Sequence, residues 1–205
     1  MAARAHSVDP RAERVRTRLR AAAFTLAHER PVDEMTVGDI VARASVSRQV
    51  FYQHFRDRDD AVATAFTIAF AAATGDSGCL DGTAVGGGNA RARILRLFDF
   101  AAEHRAMYRN IVPSAVTQRV VTAFRAELQP ACVQIARNGM PVVSPIASLT
   151  PESVTRFLVG GFMEVLRSWM EDPDSTDLSG RVSAALDTVN ALLGLTTSSK
   201  GPKRG

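Results

Sequence analysis

Residues 35–62 read MTVGDIVARASVSRQVFYQHFRDRDDAV, and the fold follows from how this stretch divides into helices. Thr36-Val37-Gly38-Asp39 is a capping-box pattern with Asp39 in the acidic position. It opens a short helix on which Val37, Ile40 and Val41 face inward. The pattern breaks at Ser45-Val46. Ser47 then caps a third short helix, Ser47 to Phe55, and Asp57 caps a fourth from about Arg58 to Thr74. Two short helices joined by a tight turn, Thr36 to Phe55, make a helix-turn-helix, whose second helix can lie in a DNA major groove.

The faces of the third helix carry the argument further. At 100° per residue Phe51 and Phe55 share one face and are assigned to the core. The opposite face holds Gln49 and Gln53, with Val50 and Tyr52 on its shoulders. That mixture of amide, apolar and aromatic groups suits base edges and thymine methyls. Ser47 and Arg48 stand at the helix start, where a hydroxyl, a guanidinium and backbone N–H groups can meet phosphate, and Thr36 can do likewise one helix earlier. Tyr52 in a lone helix is more often half-buried packing, and His54 alone more often a structural histidine. The spacing of all these residues together points to double-stranded DNA as the partner.

Outward from this stretch the signals are helical. Asp9-Pro10 is a helix start, and Val15, Leu19, Ala22 and Leu26 make one apolar stripe that fades near His28 to Arg30. Residues 75–89, GDSGCLDGTAVGGGN, are glycine-rich and read as a flexible loop. Helical patterns resume over 90–104, 105–112, 115–138, 151–171 and 177–194. Thr150-Pro151-Glu152 is a strong start and Asp172-Pro173 a strong stop. No alternating strand pattern appears, so an all-α fold is expected. Its parts are an N-terminal domain over 1–56 with a basic arm, a helical domain over 57–195, and a disordered tail, 196–205.

Composition agrees. Of 205 residues 46% are hydrophobic and 22% charged, which fits a folded globule. No apolar run is long enough for a membrane span, and the first residues lack the apolar core of a secretory signal. Cys79 and Cys132 form no CxxC, so neither a disulfide scaffold nor a zinc site is expected, and a cytoplasmic location follows. The net charge is +4, and it is placed unevenly. Arg4, Arg11, Arg14, Arg16, Arg18 and Arg20 outnumber Asp9 and Glu13 at the start, and Lys200, Lys203 and Arg204 close the chain. A basic arm of this kind attracts phosphate, although a solvated helix face reads the same way. The chain has no HExxH, GxSxG, P-loop or dinucleotide fingerprint, and His6, His28, His54 and His104 are scattered. No enzyme, metal or cofactor is expected.

Residues 35–62 resemble the DNA-binding domain of the tetracycline-repressor-like (TetR/AcrR) family. The matching elements are Thr36-Val37, Ile40, Ala44, Val46-Ser47, Phe51-Tyr52, His54-Phe55 and Arg58. The resemblance implies that Arg48, Gln49, Val50 and Tyr52 sit in the major groove. It implies that Thr36, Ser47, Tyr52, His54 and Arg58 meet the backbone. Three positions depart from the family pattern. Ser45 replaces a turn glycine, so the turn must take negative φ or bear strain of about 1 kcal/mol. Val50 stands where threonine is common, and Ala61 where leucine is usual.

The resemblance also implies that the second domain binds a ligand and dimerises. The apolar faces of 151–171 and 177–194 exceed what one small subunit needs to cover. Leu158, Gly161, Val165, Trp169, Val182, Leu186, Val189 and Leu193 are the candidate interface of a homodimer, with plain core as the alternative. Gly160-Gly161 would allow close helix approach. Candidate pocket residues are Phe98, Met107, Tyr108, Ile111, Phe124, Leu128, Phe157 and Phe162, with Leu97 and Met163 beside them, which suggests an apolar small-molecule effector. Most of these serve equally well as core. The function expected is a repressor released from a palindromic operator by that effector. The alternatives are a ligand-independent regulator and a helical interaction protein without DNA binding.

Overall fold

The computed structural model describes residues 10–74, 87–112 and 114–195. The basic residue Arg4, Cys79, residues 75–86 of the expected 75–89 loop and the tail 196–205 lie outside the described residues. Helices α1 (Pro10–Glu29), α2 (Val37–Ala44), α3 (Arg48–Tyr52), α4 (Arg58–Thr74), α5 (Gly87–Glu103), α6 (Arg105–Ile111), α7 (Val116–Val143), α8 (Pro151–Glu171) and α9 (Leu178–Leu192) follow in order, with a 3-10 turn at Val32–Glu34. No strand occurs among the described residues.

The helix boundaries follow local chemistry. Pro10 opens α1, where a missing N–H leaves no bond unmade. Thr150 accepts from Ser153 N at 3.2 Å with Pro151 in the first turn of α8. Asp177 accepts from Gly180 N at 2.7 Å and opens α9. Three expectations change, and the first is that α5 starts at Gly87, inside the expected 75–89 loop. The third helix is five residues long, because Gln53 and His54 close it with tight backbone bonds to Val50 and Phe51. The seventh runs on to Val143, carrying Pro130 and Pro141 inside it.

The chain divides into two compact units, one of Met1–Ala72 with His104–Ala123 and one of Ala73–Glu103 with Phe124–Gly205. The first unit holds α2 and α3. Its core joins Leu19, Ala22, Ala23, Leu26 and Ala27 of α1 to Ile40, Val41, Ala44, Phe51, Phe55, Ala61, Val62 and Phe66, all buried. The alanines let α2 approach α1 closely, and burying each large apolar side chain contributes about 1.5–3 kcal/mol.

The reason α6 belongs to this unit is visible at the end of α1. Asn110 Nδ2 donates to the carbonyls of Ala27 (2.9 Å) and His28 (3.2 Å), which lack helical partners. His28 Nδ1 donates to Phe24 O at 2.8 Å. Its Nε2 in the neutral ring must then accept, and His104 Nδ1 donates to it at 3.0 Å. Phe24 meets both rings edge to face.

In the second unit Phe98 stacks edge to face on Phe124, with centroids 5.3 Å apart, and leans on Phe162 at 6.1 Å. Arg91 ties α5 to α9 through Asp187 (2.6 Å) and Ser183 (2.6 Å). Gly139 marks where α7 meets the end of α9, since a β-carbon there would lie 2.9–3.1 Å from the Leu193 side chain.

Candidate nucleic-acid interface

The helix-turn-helix is built from two capped starts and one strained turn. Thr36 Oγ1 accepts from Asp39 N at 3.2 Å, and Asp39 Oδ2 accepts from Thr36 N at 2.8 Å and Thr36 Oγ1 at 2.7 Å. These bonds from Thr36, joined by Arg30 at 3.0 Å, hold the Asp39 carboxyl down at about 2. Arg43 grips Glu29 of α1 with two bonds, 2.5 and 2.7 Å, fixing α2 along α1. Ser47 Oγ accepts from Val50 N at 3.3 Å and starts α3.

Ser45 lies between them in the left-handed region, φ 51 and ψ 52. Of the two routes open to a non-glycine turn, the chain takes the strained one, worth about 1–2 kcal/mol for a side-chain-bearing residue. Arg18 of α1 donates through Nη2 to the carbonyls of Ala44 and Ser45, the latter at 3.1 Å. This contact was not legible beforehand. Arg18 reads as one more charge of a basic arm, and only the missing turn glycine signalled that something must support Ser45.

On α3, Phe51 and Phe55 are buried while Tyr52 between them is 59% exposed. Ser47, Arg48, Gln49 and Gln53 are exposed, and Val50 and His54 half-buried. The candidate residues thus form one continuous outer surface on α3. Arg48 and Thr36 come together from two helices: a β-carbon on Gly38 would stand 3.1 Å from Arg48 Nη2 and 3.2 Å from Thr36 Oγ1. Gly38 is a further residue of the site, named by no sequence signal except its lack of a side chain. Arg58, expected at the DNA backbone, has partners within the chain. It donates to the Asp33 and Met35 carbonyls, both at 3.1 Å, and pairs with Asp59 at 2.8 Å. These bonds hold α4 against the turn before α2.

The second-unit candidates are partly redistributed. Leu158, Trp169, Val182, Leu186 and Leu193 are buried within one chain, so they are core and offer no surface to a partner. Val165 and Val189 are half-buried and Gly161 is exposed. The outward stripe of α8 is Phe157, Gly160, Gly161 and Glu164, with Phe157 77% exposed, and α9 offers Leu192 at 74%. Among the described residues, and apart from the helix's own backbone and the adjoining residues, nothing comes within 4 Å of a β-carbon at Gly160 or Gly161. Phe157, one of the pocket candidates, is thus on the surface. The other pocket candidates are buried, but Met107, Tyr108 and Ile111 belong to the first unit and Phe98, Phe124, Leu128 and Phe162 to the second. Tyr108 Oη is buried without a hydrogen-bond partner among the described residues, and burial pushes its ionisation well above the ordinary range. No group of three or more metal-ligating side chains occurs among the described residues.

Two capped helices at a tight turn, with a polar and aromatic outer face on the second, define a helix-turn-helix DNA-binding protein. Residues 19–63 match the family described as bacterial regulatory proteins, tetR family. The matched stretch holds α2 and α3, so this part of the chain is similar to the DNA-binding domain of tetR-family regulators. No curated protein matches the chain by sequence. Solved structures share the fold. One is the dihydroxyacetone kinase operon activator DhaS, 16% identical, TM-score 0.65, covering 90% of this chain and 98% of that one. Another is a tetR-family regulator from Streptomyces coelicolor, 18% identical, TM-score 0.57, covering 93% and 92%. A third is a TetR regulator from Rhodococcus sp. RHA1, 17% identical, TM-score 0.51, covering 90% and 98%. No helix among the described residues is long and apolar enough to cross a membrane.

Proposed function

We propose that the protein binds a palindromic operator as a homodimer and represses transcription until an apolar small molecule releases it. The observation that carries the DNA reading is Tyr52, exposed between the core residues Phe51 and Phe55 on a helix whose other outward groups are polar. In this reading Arg48, Gln49, Val50, Tyr52 and Gln53 face base edges, and Thr36, Ser47 and His54 lie toward phosphate. A dimer places two such helices about 34–36 Å apart, one turn of DNA. Its support is the outward apolar stripe of Phe157 and Leu192 beside the open glycines of α8. The apolar effector is supported by the phenylalanine-rich core of the second unit around Phe98, Phe124 and Phe162. Release follows if the effector binds better to a form in which the two α3 helices do not match the groove spacing.

The test is a gel shift on the DNA upstream of the protein's own gene. Wild type is expected to shift it, and Arg48→Ala with Tyr52→Ala to abolish the shift. Binding that survives both changes refutes the placement of α3 in the groove.

A further inference from the structure

The turn between α2 and α3 sets the angle at which α3 is presented, and among the described residues Ser45 is the one non-glycine residue with positive φ. Its backbone follows the helix-ending pattern that normally uses glycine: Ser45 N donates to Ala42 O at 3.2 Å and Val46 N to Val41 O at 3.0 Å. Those bonds leave the carbonyls of Ala44 and Ser45 outside the pattern. They are the two that Arg18 Nη2 takes. The Ala44 carbonyl belongs to the peptide plane before the Ser45 α-carbon, and the Ser45 carbonyl to the plane after it. Holding both planes fixes φ and ψ of Ser45 together. Arg18 is itself well anchored, since the next residue, Leu19, is completely buried.

We propose that Arg18 is a positioning residue for the recognition helix, doing through two hydrogen bonds what a turn glycine does by lacking a side chain. This rests on the reading that α3 presents the DNA-facing surface. A guanidinium on α1 stabilises the left-handed conformer of Ser45 against the extended and right-handed ones. Each of those alternatives would swing α3 away from its present angle to α2. Arg18 then acts on DNA affinity without touching DNA.

The experiment uses the full-length protein as wild type, Arg18→Ala, Arg18→Lys, Ser45→Gly and the Arg18→Ala/Ser45→Gly double variant. The probe is a duplex that wild type selects from the DNA upstream of its own gene. Arg18→Ala is expected to weaken binding about tenfold, as the loss of a charge-assisted contact to two carbonyls implies. Ser45→Gly in the same chain is expected to restore affinity to within about threefold, because glycine takes the conformer unaided. The slope of log K against log salt is expected to stay unchanged, where a lost phosphate contact would lower it by about 0.9. Amide exchange at Val46 should quicken in Arg18→Ala and slow again in the double variant. Arg18→Lys, which keeps the charge but not the planar fork, should fall between. A reduced salt slope with no rescue by Ser45→Gly would overturn the proposal and make Arg18 a phosphate contact. If wild type selects no DNA, the DNA reading fails while Val46 exchange still decides: unchanged exchange in Arg18→Ala overturns the turn role, and quickened exchange reversed by glycine supports it.

Discussion

Gly38 and Arg48 are in close approach: a β-carbon on residue 38 would stand 3.1 Å from the Arg48 guanidinium and 3.2 Å from Thr36 Oγ1. The contact joins the start of α2 to the start of α3, so the outermost cation of the site is positioned by an absence on the neighbouring helix. A Gly38→Ala change should raise the stability of α2 by up to about 1 kcal/mol, since alanine is the better helix former. The added carbon would meet the far end of a flexible side chain, which can move. Arg48 then leaves its place, and DNA affinity should fall severalfold while the melting temperature holds or rises. Unchanged affinity would show that Arg48 works from another position.

The Thr36–Asp39 capping box gives the site an acid limit. The folded Asp39 carboxyl sits at about 2, below its ordinary 3.8, because Thr36 and Arg30 hold its charged form. A depressed carboxylate contributes stability that is present above about pH 4 and lost as pH falls toward 2. Unfolding of wild type and Asp39→Asn should therefore differ at neutral pH and converge as the pH approaches 2. A gap that persists unchanged at pH 2 would mean the charge plays no part. Thr36→Ala should remove about 1 kcal/mol at neutral pH, the usual worth of a cap.

Much of this site was legible in the sequence, and the reason is local. Capping, the Phe51/Phe55 face and the outward Gln49 and Gln53 depend on residues within two helical turns, so spacing alone assigns them. What was not legible depends on long-range partners. Arg18 reaches across 27 residues to Ser45, and Arg58 reaches back 25 to Asp33. Arginines on an exposed pattern look alike until the acceptors near them are known. The division of the α8 and α9 faces between core and surface was not legible for a different reason. An apolar face wide enough for two partners does not say which half the chain itself covers, and the answer turned out to be Leu158, Trp169, Val182, Leu186 and Leu193.

Tyr108 carries a hydroxyl that is buried with no partner among the described residues. A polar group in that state costs roughly 1–3 kcal/mol relative to a satisfied one. Tyr108→Phe keeps the ring that meets Phe66 edge to face at 5.5 Å and removes only the oxygen. The denaturant midpoint should stay or rise. A loss of more than about 1 kcal/mol would show that a bound water or ligand satisfies the hydroxyl in solution.

Gly139 tests the packing of the second unit. Its missing side chain admits Leu193, whose atoms would lie 2.9–3.1 Å from an added carbon. Leu193 is itself buried and has little room to yield. Gly139→Ala should therefore destabilise by about 1–3 kcal/mol from overpacking, less the helix-propensity gain. Leu193→Ala creates the opposite defect, and in the double variant the two should compensate. A cycle with no coupling between them would place Leu193 elsewhere in solution.

The outward stripe of α8 and α9 bears on assembly. Phe157 and Leu192 are 77% and 74% exposed, and the β-positions of Gly160 and Gly161 open onto free space. Exposed apolar side chains beside small residues allow a second pair of helices to approach closely. If a homodimer forms there, Phe157→Glu with Leu192→Glu should convert it to a monomer at micromolar concentration, because four like charges would enter one apolar interface. The fold of each chain should be little affected, within about 0.5 kcal/mol, since neither side chain contributes to the chain's own core. Sedimentation reads the first effect and chemical denaturation, extrapolated to the monomer, the second. DNA affinity should fall with the dimer, because a single α3 reads one half-site. A variant that stays dimeric would move the interface off this stripe. A wild type that is monomeric and still holds a palindromic site tightly would remove the dimer from the mechanism.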